Sequence, residues 1–165
     1  ALSTSANSYD YCSIQGGTHM KILLPVDGSE LSLHETRFAL QLLREGLKAS
    51  FVLANVQEPA SFYEIVTADD PALIEDAALE AAEELMEPSA RLLREAGVPF
   101  ETAVITGDAA NGMLDLIELH GCDMVLMGSR ALGPLRRLVE GASVSRRLID
   151  DAPVPVLLVK PPQEG

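Results

Sequence analysis

Short, nearly continuous apolar runs alternate along this chain with longer segments in which apolar residues recur every three or four positions. The short runs indicate buried β-strands, and the longer segments indicate helices with one apolar face. The strands are predicted over residues 21–27, 51–56, 99–106, 123–127 and 153–160. The helices are predicted over residues 31–43, 71–96, 107–120 and 134–150.

Residues that commonly begin or end helices lie at the predicted boundaries. Asp108 is placed to cap the third helix, and Pro134 suits the first turn of the fourth. Gly46 and Gly97 follow the first and second helices, where glycine often ends a helix. The stretch 57–70 is longer than a usual connection and indicates a tolerated insertion, with a mobile lid as the alternative.

Apolar strands that alternate with helices predict a parallel sheet covered by helices on both faces. Right-handed crossovers restrict such a sheet to a few topologies. A closed barrel would need about eight strand-helix units. We therefore predict an α/β fold with an open, doubly wound, five-stranded parallel sheet of the Rossmann-like type and strand order 3-2-1-4-5.

The composition fits a single domain. With 165 residues, of which 47% are hydrophobic, the chain can bury a core without metal or disulfide staples. Residues 20–161 are assigned to this domain. Residues 1–19 are polar, show no apolar period and end just before Met20, and we interpret them as a leader added by cloning, with a disordered extension as the alternative.

The charge and the cysteine content narrow the range of partners and compartments. A formal net charge of −13 disfavours nucleic acid and anionic membranes, because both reward dense basic surface. No apolar run approaches the roughly 18 residues that a membrane span needs. Without the leader, Cys122 is the single cysteine, so no intramolecular disulfide is expected. A cytoplasmic protein is predicted.

The turn after the first strand is a candidate site, because ligands of open α/β sheets lie outside the carboxyl ends of the strands, where the strand order reverses. This turn contains Pro25, Val26, Asp27 and Ser29. Asp27 could accept hydrogen bonds from a purine amino group or a ribose hydroxyl. Alternatively, Asp27 or Ser29 caps the helix that follows. The residues alone leave both roles open.

The turn after the fourth strand is the second candidate. Residues 128–133 are rich in glycine, which lets backbone amides approach an anion, and the following helix N-terminus adds further N–H groups. Five of the twelve basic residues lie between positions 130 and 147: Arg130, Arg136, Arg137, Arg146 and Arg147. They indicate an anionic ligand or, alternatively, a solvated helix face that pairs with Glu140, Asp150 and Asp151.

Other kinds of chemistry find little support in the sequence. It contains neither the P-loop pattern nor the glycine fingerprint of dinucleotide-binding sites. His34 and His120 lie in predicted helices, where structural roles are the commoner outcome, and Cys122 is predicted to be buried. We expect no resident metal and no enzymatic activity, although slow hydrolysis of a bound ligand is left open.

Five segments give the chain a family resemblance: residues 22–29, 55–56, 107–109, 123–130 and 152–159. In this order and spacing, the chain resembles the universal stress protein family from Met20 to Lys160. The resemblance implies a homodimer paired through the last strand, residues 154–160. It also implies, as in the members that bind ATP, an adenine nucleotide whose phosphates Mg²⁺ could bridge.

The glycine motif of the ATP-binding members is altered here. Gly128 and Gly141 fit it, but Ala131 replaces a glycine, Ala142 replaces a hydroxyl residue, and Ser143 could supply that hydroxyl through a shifted turn. The binding residues implied by the resemblance are Pro25, Val26, Asp27, Val56, Met127, Gly128, Arg130, Ala131, Gly141, Ala142, Ser143 and Val144. We predict a stress-response regulator that binds ATP, with a nucleotide-free dimeric scaffold protein as the alternative.

Overall fold

The computed structural model describes residues 2–6, as backbone only, and residues 19–57, 70–129 and 144–163. The strands are β1 Leu2–Ala6, β2 Met20–Pro25, β3 Ala49–Gln57, β4 Phe100–Thr106, β5 Met124–Gly128 and β6 Val156–Val159. The helices are α1 Glu30–Arg44, α2 Pro71–Glu95, α3 Ala109–His120 and α4 Val144–Asp151.

The described strands form one sheet in the order β1-β4-β3-β2-β5-β6. The five strands from β2 onwards pair only in parallel with one another. Counted from β2, their order is 3-2-1-4-5, which confirms the predicted α/β fold and topology. The chain passes from the centre to one edge and then from the centre to the other, so the order reverses between β2 and β5.

A sixth strand, β1, extends the sheet beyond the prediction. It pairs antiparallel with β4, from Leu2 opposite Ile105 to Ala6 opposite Glu101. The sequence places this segment outside the fold because it lacks an apolar period. Backbone hydrogen bonds define the pairing, and they require no particular side-chain pattern.

The core lies in two layers, one on each face of the sheet. Leu24, Leu53 and Leu126 point to the face that α1 and α2 cover. Leu23, Val52 and Val125 point to the face that α3 and α4 cover. Because neighbouring strand residues alternate between faces and all of these are fully buried, the strands read as continuous apolar runs.

The helix boundaries follow local chemistry. Asp108 caps α3, as predicted, by accepting a hydrogen bond from Asn111 N at 2.8 Å. Gly97, just after α2, has φ of 68°, a left-handed conformation that glycine adopts without strain. Residues 134–143 of the predicted fourth helix lie outside the described residues, and α4 begins at Val144. None of the described helices is both long enough and apolar enough to cross a bilayer.

Candidate functional site

The pairing of β2 with β5 stops short of the carboxyl edge of the sheet, and the region between their carboxyl ends is here called the crevice. Among the described residues, these strands pair at Ile22 with Met124 and at Leu23 with Val125, and not beyond. Each strand continues with its outer neighbour, β2 with β3 as far as Pro25 and β5 with β6 as far as Gly128. The last residues of β2 and β5 therefore flank an opening at the reversal point, where open α/β sheets bind their ligands.

The chain that leaves β2 is fixed to β3 by its backbone. Val26 N donates to Ala54 O at 2.8 Å, and the buried Asn55 side chain donates from Nδ2 to Val26 O at 2.8 Å. Gln57 Nε2 donates in turn to Asn55 Oδ1 at 2.6 Å. Asn55 belongs to the segments that carry the family resemblance, and its part in the site is to hold the turn against β3.

Asp27 organises the turn itself. Its backbone N–H donates to Ser32 Oγ at 2.9 Å, while its Oδ1 accepts from Ser29 N at 3.0 Å and from Ser32 Oγ at 2.5 Å. Ser29 is the N-cap of α1 and accepts from Ser32 N at 3.2 Å. The capping role thus falls to Ser29. Asp27 remains half-buried, and the two hydrogen bonds that its carboxylate accepts from described residues both use Oδ1.

Gly28 is needed where helix α2 passes over the turn. Its φ is 79°, and a Cβ at this position would lie 2.9 Å from Leu85 Cδ2 and 3.2 Å from Leu85 O. A larger residue would therefore force α2 away from the turn as well as strain the backbone.

Gly128, on the other side of the crevice, makes room for the carboxyl group of Glu35. A Cβ at position 128 would collide with Glu35 Oε1 and would lie 2.9 Å from Glu35 Cδ and 3.2 Å from Leu31 Cδ2. The α1 side chain thus fills the space that any other residue at position 128 would occupy. Glycine is required here by contact with α1, in addition to any need for close approach by a ligand.

Glu35 is the functional candidate that the sequence does not predict. It is fully buried, and neither carboxyl oxygen has a hydrogen-bond partner among the described residues. Burial raises the pKa of Glu35 to about 8, and the negative charge of Asp27 contributes to this rise. The backbone N–H of Gly128 opposes both effects by favouring the carboxylate, without reaching full hydrogen-bonding geometry.

The phase of helix α1 is the signal that could have identified Glu35. The buried positions of α1 are Ser32, Glu35, Thr36 and Ala39, spaced three, one and three residues apart. The apolar residues on which the helix prediction rests are half-buried at the sides of this face: Leu33, Phe38, Leu40, Leu42 and Leu43. Glu35 lies in the centre of the buried face of α1. The sequence reveals this only if the buried face is assigned to the small and polar residues of the helix and not to its large apolar ones.

The structure divides the site residues predicted from the sequence into three groups. Pro25, Val26, Met127 and Gly128 are buried beside the crevice, and Asp27 and Val56 are half-buried at the same edge of the sheet. Val144 is the first residue of α4. The remaining predicted residues lie outside the described part of the chain: Arg130, Ala131, Gly141, Ala142 and Ser143.

Arg147, a member of the basic group, makes a structural contact. Its Nη1 lies 3.1 Å from Asp108 Oδ1, and its Nη2 donates to Asn111 Oδ1 at 2.9 Å. This pairing with an acid fits the alternative of a solvated helix face, although Asp108 is a different partner from the expected ones. It fixes α4 against the start of α3.

Lys21, Glu101, His120 and Asp123 form a second polar cluster, at the amino edge of the sheet. Glu101 contacts Lys21 Nζ at 3.4 Å and His120 Nδ1 at 2.9 Å, and Asp123 Oδ2 accepts from Lys21 N at 2.8 Å. His120 thus holds α3 against β4, as expected for a structural role. Cys122 beside it is buried, which raises the pKa of its thiol to about 11. The described residues contain no group of three or more His, Cys, Asp or Glu suited to a metal ion.

Sequence comparison relates the whole fold, apart from its first residues, to known proteins. The model of the Universal stress protein family matches residues 18–160. Universal stress protein MJ0531 of Methanocaldococcus jannaschii is 29% identical over 146 residues, which are 88% of this chain and 85% of that protein.

Structure comparison finds the same fold in solved proteins. The structure of hypothetical protein MJ0577 has a TM-score of 0.68 and 23% identity, covering 88% of this chain and 98% of that one. An Arabidopsis thaliana family member with AMP bound has a TM-score of 0.60 and 21% identity, covering 86% and 91%. A universal stress protein in complex with cAMP has a TM-score of 0.61 and 18% identity, covering 85% and 96%.

Proposed function

Because this chain belongs to the universal stress protein family, we propose that it binds an adenine nucleotide, ATP above all, in the crevice between β2 and β5. In this proposal it is a cytoplasmic stress-response regulator in which the nucleotide is a bound signal, and no catalytic step is involved. The separation of β2 from β5 at the reversal point carries the proposal. The AMP and cAMP bound by two proteins of the same fold support an adenine nucleotide as the ligand.

The adenosine part of the ligand is assigned to the β2 side. Both hydrogen bonds from described residues to the Asp27 carboxylate use Oδ1, so Oδ2 is placed to accept from the adenine amino group or a ribose hydroxyl. Val56, half-buried at the end of the adjacent strand, offers apolar surface for the base. Pro25 and Val26 form the floor between them.

The phosphates are assigned to the turn between Met127 and the start of α4. Gly128, Arg130 and Ala131 would follow the ribose and phosphates, and residues 141–144 would surround the phosphates, with Mg²⁺ bridging phosphate oxygens. Ala131 and Ala142 each remove a feature of the ATP-binding motif. A Cβ at a left-handed position and a lost hydrogen bond to a charged group together weaken binding by about two to three factors of ten.

The direct test is calorimetric titration of magnesium-ATP into the purified chain, after a denatured sample has been checked for nucleotide that purified with it. Asp27→Asn keeps an oxygen for Ser29 N and Ser32 Oγ but removes the charge, and we expect it to weaken binding about tenfold, the loss of one charged hydrogen bond. Asp123→Asn is the matched control, since it makes the same change at the amino edge. Equal weakening by both variants would contradict the assignment of Asp27.

The alternative function is that of a nucleotide-free dimeric scaffold protein. It replaces the first proposal if no nucleotide is released from the denatured protein and no heat is detected up to millimolar ATP. The same titrated sample also tests the absence of catalysis. Phosphate release above a heat-inactivated control would show slow ATP hydrolysis.

We further propose that the chain forms a homodimer through residues 154–160. In the described part of the chain, β6 pairs with β5 on one side only, and Leu158 on this edge is 37% exposed. Val156 and Leu157 are half-buried. An apolar edge strand is stabilised when a second strand covers it. Light scattering at micromolar concentration should give the dimer mass, and Leu158→Asp should shift the protein towards the monomer.

A further inference from the structure

Glu35 places an ionisable group directly behind the crevice. Its carboxyl group occupies the space beside Gly128 that a side chain at position 128 would fill, at the end of β5 where β2 and β5 have separated. The group is fully buried, and in the part of the chain that the structure describes both of its oxygens lack a hydrogen-bond partner. The family assignment and the glycine motif give this residue no part in ligand binding.

The surroundings of Glu35 favour its neutral form. A buried carboxylate is stable only when hydrogen bonds or a positive charge compensate for its lost hydration. From α1 itself, Leu31 lies beside it, and β5 contributes the backbone of Gly128. Among the described residues, Asp27, in the turn after β2, supplies the charge that acts on Glu35, and that charge is negative.

We propose that Glu35 is a proton-binding site that controls the affinity of the crevice for anionic ligands, the neutral acid allowing an anion to bind beside Gly128 and the carboxylate opposing it. This inference rests on the proposed function, because it takes the anion to be the phosphate portion of a nucleotide. The inference makes the affinity of the nucleotide site depend on pH. The element responsible for this dependence is α1, which lies outside the glycine motif.

The sign of the effect follows from linkage. The pKa of Glu35 is raised to about 8 in the free protein, and a bound anion nearby would raise it further, since two negative charges repel each other. Binding above pH 8 is therefore accompanied by proton uptake. Affinity for the anion is highest when Glu35 is already protonated and falls as the pH rises through its pKa.

The test compares magnesium-ATP binding at pH 7.0 and pH 9.5 for the unchanged chain, for Glu35→Gln and for Glu45→Gln. Gln matches the size of the neutral acid and cannot ionise. Glu45 is exposed at the other end of α1, about 15 Å along the helix, and provides the matched control. This pH range lies above the ordinary titration of histidine and of the ATP phosphates and below that of Cys122.

We expect the unchanged chain and Glu45→Gln to bind magnesium-ATP about tenfold more weakly at pH 9.5, as a further pKa rise of about one unit would produce. Glu35→Gln should bind equally well at both values. A pH dependence that Glu35→Gln retains would overturn the inference while leaving the proposed function intact.

A measurement without nucleotide separates the two proposals. The free energies of unfolding of the unchanged chain and of Glu35→Gln should diverge as the pH rises from 5 to about 8, because the unfolded chain releases the Glu35 proton in this range while the folded chain retains it, and Gln has no such proton. Absence of ATP binding by both proteins at every pH would contradict the proposed function and the control of affinity together. If the free energies of unfolding of the two proteins change in parallel with pH, the proton site at Glu35 is contradicted, whether or not ATP binds.

Discussion

Acidic side chains lie at both ends of the sheet, and the two ends differ in what surrounds them. At the amino edge, Glu101 lies between Lys21 and His120. At the carboxyl edge, Asp27 acts on Glu35 with a charge of the same sign, and none of the described residues forms a hydrogen bond with the Glu35 carboxyl group. Glu101 at the amino edge is therefore paired with basic groups, whereas Glu35 at the carboxyl edge depends on a bound proton.

This difference distinguishes structural polar groups from functional candidates. The amino-edge cluster joins β2, β4 and α3 because Glu101 contacts both Lys21 and His120, although His120 Nε2 is buried without a partner among the described residues. The Asp27 and Glu35 carboxyl groups lie near the point where β2 and β5 stop pairing, and the described residues leave Asp27 Oδ2 and both Glu35 oxygens without a hydrogen bond. Buried polar groups that remain unsatisfied destabilise the fold, so their presence beside a crevice is better explained by a ligand or a proton than by stability.

The largest expected effect is that of Glu35→Gln on stability at alkaline pH. The folded chain holds the Glu35 proton up to about pH 8, whereas the unfolded chain releases it near pH 4.5. The folded state binds more protons between these values, so the free energy of unfolding falls as the pH rises. At pH 9 we expect Glu35→Gln to be more stable than the unchanged chain by on the order of 5 kcal/mol, and at pH 4 the two should be similar.

Urea unfolding curves at half-unit steps between pH 4 and pH 9 measure this difference. A difference in the free energy of unfolding that stays constant across this pH range would mean that Glu35 has an ordinary pKa. The acids of the two edges would then not differ in this way.

The second effect is steric and tests the contact between α1 and β5. Gly128→Ala should destabilise the fold by about 1–3 kcal/mol, the usual cost of overpacking, because its Cβ collides with a buried carboxyl that has little room to move. Glu35→Ala should relieve that collision. The double variant should therefore show a coupling energy of about 1 kcal/mol or more in a thermal-unfolding cycle. Additive effects would show that Glu35 lies elsewhere.

A smaller effect is expected at the amino edge. Glu101→Gln removes the charge that holds both Lys21 and His120, and Glu101 is 34% exposed. We expect a loss of about 1 kcal/mol in the free energy of unfolding, with no change between pH 7 and pH 9. Chemical denaturation at these two values checks it. If the effect of Glu101→Gln on the free energy of unfolding changed with pH as steeply as that of Glu35→Gln, the two ends of the sheet would not differ.

The smallest effect is that of Lys21→Met. The Lys21–Glu101 ion pair is about one-third exposed on each side, and such pairs contribute roughly 0–1 kcal/mol. The loss should shrink further in 0.5 M salt, since mobile ions screen exposed charges. A loss above about 2 kcal/mol would mean that the amino-edge cluster depends on its charges as strongly as the carboxyl edge does.

The strand order could be predicted from sequence because periodicity and right-handed crossovers leave few alternatives. The cap at Asp108 could be predicted because capping is local chemistry. Strand β1 could not, since its pairing is a backbone contact with a distant edge. The phase of α1 could have placed Glu35 on the buried face of the helix, but its position beside Gly128 depends on how α1 crosses the end of β5, which is a long-range contact.

The antiparallel strand β1 also sets one border of this sheet. In the described part of the chain it occupies the outer side of β4 with a strand of five residues, while β6 forms the other border. If two copies join through β6 around a twofold axis, each uses up the same border, and the result is a continuous sheet of twelve described strands, six from each copy. Such an assembly ends at a β1 on both sides, so a third copy cannot join through the contact that forms the pair.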